Sequence, residues 1–216
     1  MTIRLAGIRS GGVGMARKGM ETVRRRQLIQ ATLQVIHDQG LQATTLGRVG
    51  QQAGISPGLV AHYFGDKRHL LASTYLSLVR SLEQEYRAAR AGTAAGLPRV
   101  RAIIDANFAA SQSDAVTVSC WLSFWAQVNH VPSIARIQRV VTRRLESNLT
   151  HALAAFLPRV EAVRLAEGLG VMIDGLWLRA SLRTGGLDVA AARALAHRYL
   201  DSELHALTGG PHVQTA

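Results

Sequence analysis

The segment from Thr45 to Lys67, TLGRVGQQAGISPGLVAHYFGDK, constrains the fold more than any other part of the chain. Thr45 and Ser56 are residue types that cap helix N-termini, and Pro57 suits the first position of a helix because its missing N–H costs nothing there. Gly54 is the residue type that ends a helix. The segment therefore predicts two helices of about two turns each, joined by a tight turn, which is the spacing of a helix-turn-helix.

The rest of the chain also predicts helices. Alternation of apolar and polar residues, which is typical of strands, is nearly absent, and helical spacing recurs throughout. The fold class is therefore all-α, with a three-helix helix-turn-helix domain followed by a larger helical bundle. The predicted helices run from about 22 to 39, 45 to 54 and 56 to 64, then from an Asp66 cap, and over 98–111, 114–129, 132–156, 159–183 and 188–206, with a break at 184–186. The predicted domains are 1–20, a basic extension expected to be disordered; 21–67, the helix-turn-helix domain; 68–207, the larger helical bundle; and 208–216, a flexible tail.

The charge of the chain is strongly basic and unevenly distributed. The 216 residues carry a net charge of +11, with a pI near 11.2. Between Met1 and Arg26 there are seven arginines and lysines against one acid, Glu21. Such an arm indicates nucleic acid as the partner, and a membrane-surface or interaction protein is the alternative from another class. A solvated tail without a function is the alternative for residues 1–14.

Other classes of protein have little support in the sequence. No apolar run approaches ~18 residues, so no transmembrane helix is predicted and no membrane partner is expected. The single cysteine, Cys120, excludes an intrachain disulfide framework and a cysteine-clustered zinc site, and the cytoplasm is the simplest compartment. The sequence contains no HExxH, GxSxG or Walker glycine loop, so no enzyme activity, metal or cofactor is predicted.

The helix-turn-helix interpretation gains support from the basic residues around it. In this motif the second helix enters the major groove of DNA, and its N-terminal residues meet the base edges. Arg24, Arg25 and Arg26 begin the first helix and Lys67 begins the fourth, where they could reach phosphates, as could the helix N-terminus at Ser56. The alternative is a pair of ordinary helices in an all-α core.

The segments RRRQLIQATLQVIHDQG and TTLGRVGQQAGISPGLVAHYFGDKRHLL resemble the DNA-binding domain of the TetR family of bacterial repressors. The resemblance covers about residues 15–204. It implies a homodimer whose three-helix domains bind DNA and whose C-terminal bundles hold a ligand pocket and the dimer interface. Dimer symmetry in turn implies an inverted-repeat operator.

Three C-terminal segments make the resemblance more specific. CWLSFWAQVNHVP, RIQRVVTRRLESNL and GVMIDGLWLRASL are similar to members of the family that repress the genes converting choline to glycine betaine. The resemblance therefore implies choline as the small-molecule inducer. A TetR-type regulator of other genes with another ligand is the alternative within the class.

The resemblance also assigns expected roles to individual residues. Thr45, Tyr63 and Lys67 match positions that contact phosphate, and the exposed face of the third helix would enter the groove. Arg48 and His62 are the expected direct readers of base edges. Gly47 and Gly50 depart from the alanine that is frequent in the family, and they are expected to soften the second helix. The predicted DNA-binding residues are Arg24, Arg25, Arg26, Thr45, Arg48, Ser56, Pro57, Gly58, His62, Tyr63 and Lys67.

The C-terminal part contains all three tryptophans, Trp121, Trp125 and Trp177. Aromatic faces hold quaternary ammonium groups through cation–π attraction, often with a carboxylate nearby. The predicted cage consists of Phe108, Trp121, Trp125 and Trp177, with Asp174 or Asp105 as counter-charge. The alternatives are that the aromatics belong to the core or a dimer interface, and that Asp174 pairs with Arg179 or Arg143.

Overall fold

A computed structural model describes residues 11–182 and 188–209 of the chain. Within these ranges every regular element is an α-helix, which confirms the predicted fold class. The chain divides into two compact units, residues 1–71 and 72–216. None of the described helices is long and apolar enough to cross a membrane. The helices are α1 Gly11–Gln39, α2 Leu46–Ala53, α3 Pro57–Phe64, α4 Lys67–Arg90, α5 Leu97–Asn107, α6 Ala110–Ser113, α7 Ala115–Trp125, α8 Pro132–Leu153, α9 Arg159–Ser181 and α10 Val189–Thr208.

The first unit is held together by a small apolar core. α2 and α3 are eight residues long, which is too short for either helix to be stable alone. Each therefore depends on the few side chains that it buries, Val49 from α2 and Val60 and Phe64 from α3. The core of this unit consists of Leu28, Ala31, Val35, Val49, Val60, Phe64 and Leu70.

α1 begins earlier than the sequence predicts. It starts at Gly11 rather than near Thr22. The intervening sequence has no proline, and Met15 to Lys18 are strong helix formers, so the helix continues upstream of the arginines. Residues 11–20 of the predicted extension are therefore helical in the structure, while residues 1–10 lie outside the described ranges.

The second unit differs from the predicted helices mainly between 107 and 131. The predicted helix 98–111 ends at Asn107 and is followed by the separate short α6. The Asn107 amide donates to the backbone oxygen of Ile103 at 2.8 Å, an interaction with the preceding turn that competes with regular helix geometry. The predicted break at 184–186 and most of the predicted tail, residues 210–216, lie outside the described ranges.

Five helices of the second unit surround its core. α4, α5, α8, α9 and α10 bury leucine, isoleucine, valine and alanine along one face each. α4 begins in the first unit, at Lys67, and continues through the second unit to Arg90. The buried residues of this core include Leu82, Val100, Ile103, Ile104, Leu149, Leu153, Leu165, Leu169, Ile173, Ala196 and Leu200.

Candidate functional site

The turn between α2 and α3 is built from the predicted capping residues. The Thr45 hydroxyl accepts a hydrogen bond from the Arg48 amide at 3.2 Å, and the Ser56 hydroxyl accepts one from the Leu59 amide at 3.3 Å. Gly54 ends α2 in the left-handed conformation, with φ of 67°. These contacts confirm both predicted caps and the predicted stop, and they fix α3 as a separate short helix.

Gly50 lets the turn come close to α2. The Ile55 amide donates to the Gly50 oxygen at 2.9 Å. A Cβ atom on Gly50 would lie 2.7 Å from the Ile55 oxygen, whereas a Cβ on Gly47 would meet only the Thr45 hydroxyl oxygen at 3.7 Å. The two glycines that depart from the family pattern therefore differ, because Gly50 is needed for close packing and Gly47 is not.

The outward side of α3 carries few polar groups. Val60 and Phe64 are buried, so the opposite side of the helix is free for a partner. His62 is exposed, and its ring meets the half-buried Tyr63 ring edge-on at 5.5 Å. Leu59, 38% exposed, was not singled out from the sequence, where it cannot be distinguished from a core leucine. We call this side the α3 outer face; it consists of Ser56, Pro57, Gly58, Leu59 and His62.

Three of the predicted DNA-contacting cations donate to backbone oxygens of the first unit. The Arg25 guanidinium donates to Tyr63 at 2.5 Å, the Arg48 guanidinium to Ala43 at 2.7 Å, and the Lys67 ammonium to Gln42 at 2.9 Å. Arg48 is exposed, and Arg25 and Lys67 are partly buried. Arg24 and Arg26 are exposed beside Arg25 on α1. The basic residues thus form two groups. One group donates hydrogen bonds to the backbone of the first unit, and the other, Arg24 and Arg26, lies exposed on α1.

The second unit contains a cavity of about 120 Å³. A single water needs about 10–15 Å³ of such space, so the cavity is sized for a small organic molecule. Trp121, Trp125 and Trp177 all line it, together with Asp174. We call it the tryptophan cavity; its other lining residues include Leu82, Tyr86, Asn107, Gln112, Gln138, Thr142, Glu146, Glu167, Val171 and Ile173.

The aromatic walls of the cavity are supported from behind. The Trp121 and Trp125 rings are 6.4 Å apart and tilted by 52°. Phe108 is not among the lining residues, contrary to the predicted cage. It is 3% exposed and stacks on Trp177 with ring centres 5.5 Å apart, so it holds the tryptophan rather than facing the cavity. The sequence could not distinguish these two positions, because spacing along the chain does not show which aromatic residue faces a cavity and which one packs behind it.

Asp174 lies in the cavity wall without an ionic partner. No arginine or lysine of the described chain forms an ion pair with it, so the predicted alternatives Arg143 and Arg179 are not its partners in this structure. Asp174 is exposed overall, and the protein atoms of the cavity wall around its carboxylate partly desolvate it. This desolvation, together with the charge of Glu146, raises the pKa of Asp174 to about 6.

The other candidate counter-charge, Asp105, lies elsewhere. Its carboxylate contacts His197 at 2.8 Å and Arg193 at 3.8 Å on α10, and it does not line the cavity. Glu146 and Glu167 do line the cavity, although the sequence did not single them out. On a helix surface rich in charged residues neither glutamate has a sequence signal that separates it from solvent-facing residues.

A tyrosine of α4 contacts the cavity wall from the core side. Tyr75 is fully buried, and its hydroxyl donates to the side-chain oxygen of Gln138, which lines the cavity. Its ring stacks on Phe124 at 4.5 Å and meets Trp121 edge-on at 5.4 Å. α4 is thus connected to two residues of the cavity wall through one buried side chain.

These features define the class of protein. A helix-turn-helix precedes a helical unit with a cavity sized for a small molecule, which is the organisation of a one-component DNA-binding regulator. The sequence model described as "Bacterial regulatory proteins, tetR family" matches residues 28–74, and that described as "BetI-type transcriptional repressor, C-terminal" matches residues 97–205.

Known relatives agree with both matches. The HTH-type transcriptional regulator BetI 1 of Chromohalobacter salexigens is 45% identical over 191 residues, which cover 88% of this chain and 95% of that protein. BetI of Burkholderia mallei is 47% identical over 191 residues, which cover 88% of this chain and 98% of that one. The chain belongs to the TetR family of DNA-binding transcriptional regulators and is a repressor of the BetI type.

Solved structures share the fold. A transcriptional regulator from Pseudomonas aeruginosa superimposes with a TM-score of 0.74 at 26% identity, covering 86% of this chain and 92% of that one. A regulator from Saccharomonospora viridis, determined in complex with choline, superimposes with a TM-score of 0.71 at 16% identity, covering 83% and 96%.

Proposed function

We propose that this repressor controls genes for choline uptake and its oxidation to glycine betaine, and that choline releases it from its operator. The observation that carries the proposal is the composition of the tryptophan cavity. All three tryptophans of the chain line it, together with the carboxylates of Asp174, Glu146 and Glu167.

The chemistry of this wall suits a quaternary ammonium ion. Such an ion donates no conventional N–H or O–H hydrogen bond from its nitrogen, so aromatic faces and nearby negative charge must hold it. No lysine, arginine or histidine is among the residues described as lining the cavity. An anion or a carboxylate-bearing ligand would therefore meet uncompensated negative charge, whereas a small cation would be attracted.

The comparisons support the same assignment. The BetI relatives match over nearly their whole length, and the S. viridis regulator, which has the same fold, was determined in complex with choline; both support a ligand of this kind. A regulator with another small organic cation as inducer is the competing proposal, since aromatic faces and carboxylates select for positive charge and size and not for the hydroxyl group of choline.

Calorimetric titration of the purified protein would test the ligand. The probes are choline, betaine aldehyde, glycine betaine and 3,3-dimethyl-1-butanol, which has the shape of choline without its charge. Choline should bind, and the neutral isostere should bind at least about tenfold more weakly because it lacks the cation–π and ionic attraction. Equal affinity for choline and its isostere, or no choline binding at all, would refute the proposal.

The proposed quaternary structure is a homodimer formed through α9 and α10. Val160, Val171 and Leu178 are 69%, 69% and 51% exposed and lie on one face of α9, because their spacing is close to whole helical turns. Leu195 of α10 is 39% exposed and lines a surface groove together with Val171 and Leu178. Two neighbouring helices with an apolar outer side can bury it against a second copy, which gives the two-fold symmetry that an inverted-repeat operator requires.

Sedimentation analysis of Leu178→Glu would test this dimer. A charge on this apolar face should shift the protein to monomer and abolish operator binding. Val140→Glu is the matched control, since Val140 is also exposed, at 45%, but lies on α8. If Leu178→Glu remained dimeric, or if Val140→Glu dissociated instead, the interface would lie elsewhere.

Induction is proposed to act through α4. The helix carries contacts to the cavity wall at Tyr75, Leu82 and Tyr86 and begins directly after the helix-turn-helix. A ligand that binds the two states of α4 with different affinity shifts the population away from the operator-binding state. An operator-shift assay in which saturating choline leaves the affinity unchanged would refute this mechanism.

A further inference from the structure

Arg25 differs from the two arginines beside it on α1. Arg24 and Arg26 are exposed, and the contact seen for Arg24 is with Gln27 of the same helix, at 3.1 Å. Arg25 is partly buried and is directed at the end of α3. Its Nη1 atom donates to the Tyr63 backbone oxygen at 2.5 Å, and its guanidinium carbon lies 4.8 Å from the centre of the Phe64 ring.

The acceptor of this hydrogen bond is a group that α3 cannot satisfy by itself. Tyr63 and Phe64 belong to the last turn of α3, where backbone carbonyls have no donor within the helix. Gly65 ends the helix with φ of 79°, so no further turn supplies one. A cation placed here also matches the negative end of the helix dipole, and the ring of Phe64 holds the guanidinium by cation–π attraction.

The two ends of α3 are therefore fixed by different helices. The hydrogen bond from the Ile55 amide to the Gly50 oxygen fixes the N-terminal end relative to α2, and the Ser56 cap satisfies the Leu59 amide in the first turn of α3. Arg25 fixes the C-terminal end relative to α1. A helix of eight residues buries little side-chain surface, so these end contacts add to the burial of Val60 and Phe64 in fixing its orientation.

We infer that Arg25 is a positioning residue for the recognition helix rather than a phosphate contact. It sets the angle at which the α3 outer face meets the base edges, and it leaves Arg24 and Arg26 to attract the DNA backbone. The inference rests on DNA binding by the helix-turn-helix and is independent of the ligand proposed for the second unit.

Salt dependence separates the two roles. A phosphate contact releases counterions, so its loss lowers the slope of log affinity against log salt by about 0.9 for each contact. A positioning residue acts on base contacts, so its loss lowers preference for the operator and leaves that slope unchanged. Lysine can replace arginine at a phosphate as a point charge, but it has no planar guanidinium to stack on a ring.

The experiment compares Arg25→Lys, Arg25→Met and Arg26→Met in the full-length protein. The probes are the tightest duplex selected from a random library and a scrambled duplex of equal length, each measured from about 50 to about 200 mM salt. Arg25→Lys should lose about tenfold in affinity for the selected duplex and stay within about twofold for the scrambled one, with the salt slope of wild type. Arg26→Met should weaken binding to both duplexes and lower the slope.

Two results would overturn the inference. One is an Arg25→Lys protein whose affinity for the selected duplex stays within about twofold of wild type, as a phosphate contact would allow. The other is an Arg25→Met protein with the lowered slope of Arg26→Met and an unchanged operator preference. If Arg25→Met does not fold, the affinities of Arg25→Lys still distinguish a positioning role from a phosphate contact. Faster amide exchange at Phe64 and Gly65 in Arg25→Lys would show directly that the end of α3 is loosened.

Discussion

The Ile55 backbone oxygen lies 2.7 Å from the position that a Cβ atom on Gly50 would occupy. Real Cβ atoms essentially never lie this close to another heavy atom. The Ile55 amide also donates a hydrogen bond to the Gly50 oxygen. Gly50 therefore determines how tightly the turn of the helix-turn-helix closes. Gly47, one helical turn earlier, has no such neighbour and retains only the entropic cost of glycine.

Replacing the two glycines with alanine should have opposite effects. Gly50→Ala forces the backbone of the turn to move and should destabilise the first unit by about 1–3 kcal/mol. Gly47→Ala should stabilise it by about 0.5 kcal/mol, because alanine loses less backbone entropy in a helix. Hydrogen–deuterium exchange of residues 41–71 measures both changes. Equal effects of the two substitutions would show that the turn is not limited by this contact.

Whether a feature could be predicted from the sequence depends on how far apart along the chain its interacting residues lie. The caps at Thr45 and Ser56 and the stop at Gly54 are local interactions, so the sequence alone predicted them correctly. The direction of Arg25 depends on Tyr63 and Phe64, which lie far along the chain, and nothing in a run of three arginines distinguishes the middle one.

The tryptophan cavity shows the same limit in the second unit. The sequence predicted correctly that the tryptophans lie in the helical bundle, but it placed Phe108 in the cage, whereas Phe108 stacks on Trp177, a residue far along the chain, and is not among the residues that line the cavity. The spacing of Glu146 and Glu167 in the sequence does not show whether they line a cavity or face solvent. Helix ends between 107 and 131 were also misplaced, since side-chain hydrogen bonds such as that of Asn107 decide them.

Phe108 should affect ligand binding without touching the ligand. Its ring holds Trp177 in place, so Phe108→Leu should weaken choline binding about threefold by letting that indole move, while Trp177→Leu should cost about tenfold or more. Tryptophan fluorescence measures both, because all three tryptophans line the cavity. Phe156→Leu, at an exposed phenylalanine outside the lining, is the control and should bind as wild type. A Phe108→Leu protein with unaltered affinity would show that Trp177 needs no support.

Choline affinity should fall as the pH falls through about 6. The pKa of Asp174 is raised to about 6 by burial and by Glu146, and a cation binds the ionised form, so protonation removes part of the attraction. Asp174→Asn should bind more weakly at neutral pH and lose this part of the pH dependence. Titrations between about pH 5 and 7.5 test this, with Glu161→Gln, a carboxylate outside the cavity lining, as the control. A wild-type affinity that is constant across this range would contradict the assignment of Asp174 as counter-charge.

The same pKa has a consequence for the ligand-free protein. In the unfolded chain the carboxyl of Asp174 has its ordinary pKa of 3.8, so the folded state binds more protons between that value and about 6. The contribution of this group to stability is therefore fully present below about pH 4 and is lost as the pH rises through about 6. Asp174→Asn should remove this contribution, and thermal unfolding of the two proteins over that range compares them. Parallel unfolding curves at all pH values would show that the carboxyl titrates normally.

Tyr75→Phe should uncouple the ligand from DNA. The substitution keeps the ring against Phe124 and Trp121 but removes the hydroxyl that donates to Gln138 in the cavity wall. Choline should still bind, since Tyr75 does not line the cavity, and the operator should still bind, since α1 to α3 are intact. The quantity that should fall is the ratio of operator affinities without and with saturating choline, which is the coupling between the two sites.

The coupling between the operator and choline is reciprocal. The factor by which choline weakens operator binding must equal the factor by which the operator weakens choline binding, so both titrations should show the same reduced coupling in Tyr75→Phe. Ser77→Ala is the control, because the Ser77 hydroxyl donates to the Thr74 oxygen within α4 and does not line the cavity, and this variant should keep the wild-type ratio. A Tyr75→Phe protein with the wild-type ratio would show that the hydrogen bond to Gln138 is structural only, and the signal to α4 would then have to pass through Leu82 or Tyr86, the α4 residues that line the cavity themselves.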